Sequence, residues 1–328
     1  MIELFRVRGI PIRLDAGWLV MFGIVTWSLA VGYFPHVLPE RSSATYWVSG
    51  VIAAMLLFAA LLLHELSHAF AALDQGVAVG GITLHVFGGV SQLDAEPPTP
   101  RAEALIAVVG PLTSFALAGL CLAADRLVEG SSTFHALLRY LITINLMIGV
   151  FNLVPGFPLD GGRILRAALW WWTGRLRSAT RIASACGSVV AMVLVGIGAY
   201  RGLGGDVVGG VWLVLIGLFL QQAARASWQL MRVRAQLEPL RVEDVMTRAP
   251  LIADVVAPLV EAGAALRPDH VVRPRDSAWT AFLKLGAARG ARVAVVDGDV
   301  LVGVVTQHDL QGALASNGGG PDLSRRAA

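Results

Sequence analysis

Six stretches of the chain are apolar over roughly the 20 residues that a helix needs to cross the hydrocarbon of a bilayer. They run over 16–35, 46–73, 103–124, 136–155, 180–200 and 208–224. Residues 46–63, within the second, contain no charged side chain. The second stretch is long enough to tilt or to run past the hydrocarbon, and the fourth ends at Pro155. Between the second and third, the period changes. Ile82-Thr83-Leu84-His85-Val86-Phe87 and Val90-Ser91-Gln92-Leu93-Asp94 read as strands interrupted by Gly88-Gly89, which predicts a small β-hairpin or kinked strand pair. Pro97, Pro98 and Pro100 then lead into the third stretch.

After residue 225 the pattern becomes more polar. Residues 226–241 form a basic, helix-prone connector. Beyond Val242 the spacing predicts a helix over 276–288, strands over 292–297 and 301–305 joined at Asp297-Gly298-Asp299, and a closing helix over 308–315. This is a small α/β unit. Residues 316–328 are Gly-rich and polar and are expected to be disordered. The predicted domains are thus 1–225 in the membrane, the connector 226–241, an α/β domain over 242–315 and the tail 316–328. The fold class is a polytopic α-helical membrane protein with a small cytoplasmic α/β domain.

Composition agrees with the pattern. The chain of 328 residues is 55% hydrophobic and 15% charged, with a mean hydropathy of +0.66, whereas soluble domains carry about 25% charged residues. The net charge of +3 is almost all arginine, because Lys284 is the one lysine. The arginines are scattered over loops and form no stripe for a nucleic acid. They do orient the spans. Arg6, Arg8 and Arg13 precede the first; Arg163, Arg166, Arg175, Arg177 and Arg181 lie between the fourth and fifth; Arg225, Arg232 and Arg234 follow the sixth. The alternate loops hold only Arg41, Arg126, Arg139 and Arg201. The positive-inside rule therefore puts both termini in the cytoplasm. The first span shows no small-residue cleavage site and is expected to be retained. Cys121 and Cys186 fall in apolar segments and read as packing residues.

The chemistry lies at the end of the second span, in His64-Glu65-Leu66-Ser67-His68. Histidines four apart project from one helix face, where both can hold one zinc, and the glutamate is placed to take a proton from water at the metal. Such zinc centres need a third protein ligand. Asp160 stands out: it lies in Asn152-Leu-Val-Pro155-Gly-Phe-Pro158-Leu-Asp160-Gly161-Gly162-Arg163, after the fourth span and on the side predicted for the histidines. The bland alternative, a His-Glu-His surface face at a helix end and an Asp-Gly turn, does not account for ionisable groups beside a membrane span, which cost about 2.5 kcal/mol or more each. His36, His85, His135, His270 and His308 lack comparable partners, and Trp170-Trp171-Trp172 reads as an interfacial anchor.

The pair H-E-x-x-H and N-x-x-P-x-x-P-L-D-G-G resembles the site-2 protease family of intramembrane zinc metalloproteases, peptidase family M50. Gly88-Gly89 and Gly110-Pro111-Leu112 extend the likeness. It is strongest to the prokaryotic branch with six spans and C-terminal CBS motifs. The resemblance implies His64, His68 and Asp160 as ligands of one catalytic zinc and Glu65 as the base. It implies that Asn152 helps to hold the reacting peptide, with Gly88 and Gly89 on a strand that receives an unwound substrate. A structural lip over the site is the other reading of that strand. The implied activity is hydrolysis of a peptide bond in or near a transmembrane segment of a tethered, regulatory protein at the plasma membrane; a non-catalytic scaffold or a gated transporter is the alternative. In the tail, Gly303-Val304-Val305-Thr306-Gln307-His308-Asp309 resembles a CBS motif, and Val242–Thr247 a degenerate half. The likeness offers Thr306 and Asp309 to an adenine nucleotide, or gives the tail a structural or homodimerising role.

Overall fold

The computed structural model describes residues 2–85, 88–93, 95–248, 271–287, 292–298 and 300–316. They fall into two compact units, Met1–Arg225 and Ala226–Ala328.

Among the described residues six helices are long and apolar enough to span a bilayer: Ala16–Val37, Ser43–Asp74, Pro100–Leu127, Ser132–Asn152, Leu176–Leu203 and Val207–Leu237, of which the last continues past Arg225. The protein is thus a multi-pass membrane protein. The first span is α1 (Ala16–Ser28), a π-helical turn at Leu29–Tyr33 and α2 (Phe34–Val37). The others are α3 (Ser43–Asp74), α4 (Pro100–Leu127), α5 (Ser132–Asn152), α7 (Leu176–Leu203) and α8 (Val207–Leu237). The shorter α6 (Asp160–Thr173) follows α5.

Side-chain caps explain where several spans begin. Asp15, Ser42, Thr99 and Ser131 accept backbone N–H groups from Gly17, Thr45, Ala102 and Phe134, satisfying donors that a helix start leaves open. Pro100 occupies the first turn of α4, where its missing N–H costs nothing. Helix α5 ends at Asn152 rather than at Pro155, because the residue before a proline disfavours helical geometry.

The strand pair predicted between the second and third spans is half of a larger sheet. Strands β1 (Ile2–Val7), β2 (Ile10–Leu14), β3 (Val79–His85) and β4 (Gly88–Leu93) lie in the order β1-β2-β3-β4. β2 runs parallel to β3, with Ile12 opposite Ile82, and β3 is antiparallel to β4. Gly88 and Gly89 do not interrupt the strand. They open β4, opposite His85 and Leu84. Ile10, Ile12 and Ile82 pack with Leu66 and Ala69 of α3, so the sheet is anchored on the helix segment that carries the histidines.

In the second unit α9 (Val242–Val245), α10 (Ala278–Ala287) and α11 (Gln307–Ser316) accompany a sheet of β5 (Thr247–Arg248), β6 (Val271–Val272), β7 (Arg292–Asp297) and β8 (Val300–Thr306). The order is β5-β8-β7-β6. Asp297 pairs with Val300 across the turn, where Gly298 takes a φ of 63°, a left-handed geometry that glycine adopts without a steric penalty. Val233, Leu237, Val242, Val272, Val293, Val295, Val305, Leu310 and Leu314 form the core. The expected disordered tail and residues 249–270 lie outside the described residues, apart from Ser316, which ends α11.

Candidate active site

His64 and His68 are buried one turn apart on α3, their rings 4.9 Å between centroids. Both Nε2 atoms point at one oxygen of Asp160: His64 lies 3.1 Å and His68 3.2 Å from Oδ2. One donor atom from each of the three side chains lies within 4.8 Å of the others. Asp160 occupies the first turn of α6, where the partial positive charge of a helix start favours a carboxylate.

The Asp-Gly-Gly sequence follows from close packing. A Cβ on Gly161 would run into the carbonyls of Leu153 and Val154, and one on Gly162 into the backbone of Gly156 and Phe157. Only glycine lets the turn after α5 fold back on the start of α6 and deliver Asp160 to the histidines. Phe157-Pro158, within that turn, is a cis peptide.

Helix α4 supplies the rest of the cradle. Ile106, Gly110 and Ser114 are four apart, so they share one face. The Ile106 carbonyl lies 2.6 Å from His68 Nδ1 and the Ser114 hydroxyl 2.9 Å from His64 Nδ1. Between them, a Cβ on Gly110 would occupy the space of both Nε2 atoms. One turn earlier on α4, fully buried Glu103 forms an ion pair with Arg166 of α6. The Arg166 guanidinium stacks 5.1 Å over the Phe157 ring, in the turn that carries Asp160. Helix α4 therefore braces the histidines directly and the aspartate through Arg166.

The donor set fits zinc. Two imidazoles and a carboxylate are a usual catalytic complement. A backbone carbonyl accepts only, so His68 Nδ1 carries a proton, and the neutral ring has its lone pair on Nε2. The space in front of the Nε2 atoms is kept open by the absence of a side chain at residue 110.

Glu65 is half-buried on α3 beside His64. Asn152 is the last residue of α5. Gly88 and Gly89 lie on β4, one of the two edge strands of the sheet, which approaches α3. Thr306 and Asp309, in the second unit, bond to each other. Thr306 N and Oγ1 donate to Asp309 Oδ2 at 2.8 and 2.7 Å, Asp309 N donates to Thr306 Oγ1 at 3.2 Å, and Thr247 Oγ1 donates to Asp309 Oδ1 at 3.0 Å. Sequence reasoning passed over Ser114, Glu103 and Arg166. Glu103 was findable as a charge in an apolar span, whereas Ser114 carries no such mark. His36 bonds the Gly32 carbonyl and His135 pairs with Asp125; neither joins the centre. His270 lies outside the described residues.

Fold and site together define a membrane-embedded protein with a buried His-His-Asp cluster that could hold a metal ion. Comparison with known proteins makes the class specific. The model of peptidase family M50 matches residues 52–131 and 125–195. Rip3 of Mycobacterium tuberculosis is 40% identical over 252 residues, which are 76% of this chain and 64% of Rip3. The protein sll0528 of Synechocystis is 35% identical over 286 residues, 85% of this chain and 72% of its own. Zinc metalloprotease MJ0392 of Methanocaldococcus jannaschii is 32% identical over 250 residues, 76% of this chain and 67% of its own. Among solved structures, the site-2 protease from Methanocaldococcus jannaschii is 31% identical with a TM-score of 0.48, covering 69% of this chain and 94% of that one. The chain belongs to peptidase family M50, and zinc is the metal that family and donor set imply.

Proposed function

We propose that the protein is an intramembrane zinc endopeptidase that hydrolyses a peptide bond in or near the transmembrane segment of a tethered regulatory protein. The observation that carries this reading is the convergence of His64 Nε2 and His68 Nε2 on the Asp160 carboxylate. His64, His68 and Asp160 hold the metal. Zinc, when bound, supplies Lewis-acid polarisation of a carbonyl and makes water a stronger acid.

The remaining work falls to the chain's own groups. Glu65 takes a proton from the attacking water at its carboxylate and passes it to the leaving amine. A helix hides its carbonyls in its own hydrogen bonds, so the substrate must be extended when cut. Strand β4 supports that step because it is an edge strand with open backbone groups on one side, opposite β3. Gly88 and Gly89 on it let a second backbone come close. Asn152, at the end of α5, supplies an amide to hold the reacting peptide. The arginine distribution supports cytoplasmic termini.

For the second unit, the bonds among Thr306, Asp309 and Thr247 support a structural, CBS-like module over a nucleotide sensor.

The test is co-expression with single-span membrane proteins, comparing wild type with Glu65→Gln. Cleavage by wild type, and an uncut, trapped partner with normal zinc content in Glu65→Gln, are expected. Undiminished cleavage by Glu65→Gln would overturn the mechanism.

A further inference from the structure

The two histidines are held by different kinds of acceptor. Behind His68 stands the Ile106 carbonyl, 2.6 Å from Nδ1. It only accepts, and no side-chain change can remove it. Behind His64 stands the Ser114 hydroxyl, 2.9 Å from Nδ1, which both donates and accepts. Ser114 is 1% exposed, inside a span, where an unbonded hydroxyl is costly. Several threonine hydroxyls on the helices bond back to the carbonyl one turn earlier. Thr113, the adjacent residue, does so to Val109, and Thr143, Thr173 and Thr180 do so to Arg139, Leu169 and Leu176. Ser114 instead reaches across to α3.

We propose that Ser114 is the positioning residue of the metal centre: its hydroxyl accepts the His64 Nδ1–H, which fixes the tautomer that leaves Nε2 as a ligand and stops rotation of the ring. This deepens the zinc reading above and rests on it. The two-fold support is asymmetric. His68 is set by the helix backbone, so one ligand is in place whenever α4 is folded. His64 depends on one hydroxyl, so its orientation is the step that a single atom controls. Nothing in the identity of residue 114 is needed for packing alone, because alanine fills all but that oxygen. The hydroxyl is what selects serine.

The experiment uses the full-length protein in detergent, loaded with zinc alone or with cobalt(II) alone. Zinc affinity is read by competition with a chromophoric chelator, and ligand geometry by the visible spectrum of the cobalt form. Removing a partner that orients a metal-bound imidazole commonly weakens binding by about 10–100-fold. Ser114→Ala should lose zinc affinity in that range and alter the cobalt spectrum, while melting of the metal-stripped protein stays at the wild-type temperature. Ser114→Thr, which keeps the hydroxyl, should recover most of the affinity. Wild-type affinity and spectrum in Ser114→Ala overturn the proposal. So does a loss that Thr fails to rescue and that tracks a lowered melting temperature, which identifies a packing role. His64→Ala separates the two levels of inference. If it binds zinc as tightly as wild type, the metal-centre reading itself fails, and this one with it; if it loses zinc while Ser114→Ala does not, only the role of Ser114 fails.

Discussion

Within residues 1–225, His64, His68, Glu103, Ser114, Asp160 and Arg166 are buried, and each has a polar partner. Within residues 226–328 the core is Val, Leu and Ala, and among the described residues no polar side chain is buried. The second unit spends its polar groups at its margins, as the caps of α11 show. A protein interior exacts a penalty for polar groups in both places, and more so in a membrane. The first unit therefore accepts a burden that the second avoids. Among the described residues its buried ionisable groups are concentrated: His64 and His68 on Asp160, with Ser114 behind His64, and Arg166 with Glu103. The other buried polar side chains, Thr26, Ser49, Thr83, Asn145, Thr180 and Ser184, carry no charge, so it is the gathering of buried charge that distinguishes the first interior from the second.

The contrast breaks most completely at Gly110. A Cβ there would meet His68 Nε2, His68 Cε1 and His64 Nε2. Alanine in a helix interior is otherwise favoured over glycine by about 1 kcal/mol. Gly110→Ala should therefore keep its helical circular dichroism while stoichiometric zinc falls to near nothing, measured by elemental analysis of the purified protein. Full zinc content in this variant would mean that the cradle between α3 and α4 is looser than the structure shows.

What could be read from the chain follows from how far each signal reaches. The spans were legible because each is a local run of apolar residues. So was the cluster of His64, His68 and Asp160, which the structure brings together, because each belongs to a short motif. The contribution of α4 was not. A carbonyl at Ile106 and a hydroxyl at Ser114 are ordinary features of a span, and only the neighbouring helix gives them a role. Gly110 was noticed in Gly110-Pro111-Leu112, but a sequence does not say that its missing Cβ makes room for two imidazoles. The N-terminal strands were missed for a related reason. β2 pairs with β3, Ile12 facing Ile82, and a partner so distant leaves only a short alternation at Ile10 and Ile12. In the second unit, Thr306-x-x-Asp309 carries the resemblance to a CBS motif, and the structure adds that the pair closes the start of α11.

A smaller effect is expected where the first unit pairs opposite charges. Arg166→Met leaves Glu103 buried without its cation, and breaking a buried pair from one side costs about 3–5 kcal/mol. The variant should unfold at lower denaturant in detergent and bind zinc more weakly, since Phe157 loses the guanidinium that lies over it in the turn before Asp160. Glu103→Leu combined with Arg166→Met removes both charges. It should regain most of the stability but less of the zinc affinity, because the brace between α4 and α6 is still gone. Equal recovery of both would show that the pair serves stability only.

The smallest effect belongs to the second unit, and it sharpens the comparison by being local. Thr306 and Asp309 bond reciprocally at the start of α11, Thr306 accepting from Asp309 N and Asp309 accepting from Thr306 N. This is the arrangement of a capping box. The other Asp309 oxygen accepts from Thr247, which ties β5 to the same helix start. Losing such a cap costs about 0.5–2 kcal/mol. Asp309→Ala should raise amide hydrogen exchange through residues 307–316 and around Thr247, with exchange in α3 and α4 unchanged and zinc affinity at the wild-type value. Wild-type exchange throughout α11 would mean that Leu310 and Leu314, buried in the core of this unit, hold the helix without the cap. The unit would then owe its order to apolar burial alone, a still sharper contrast with the polar interior of the first.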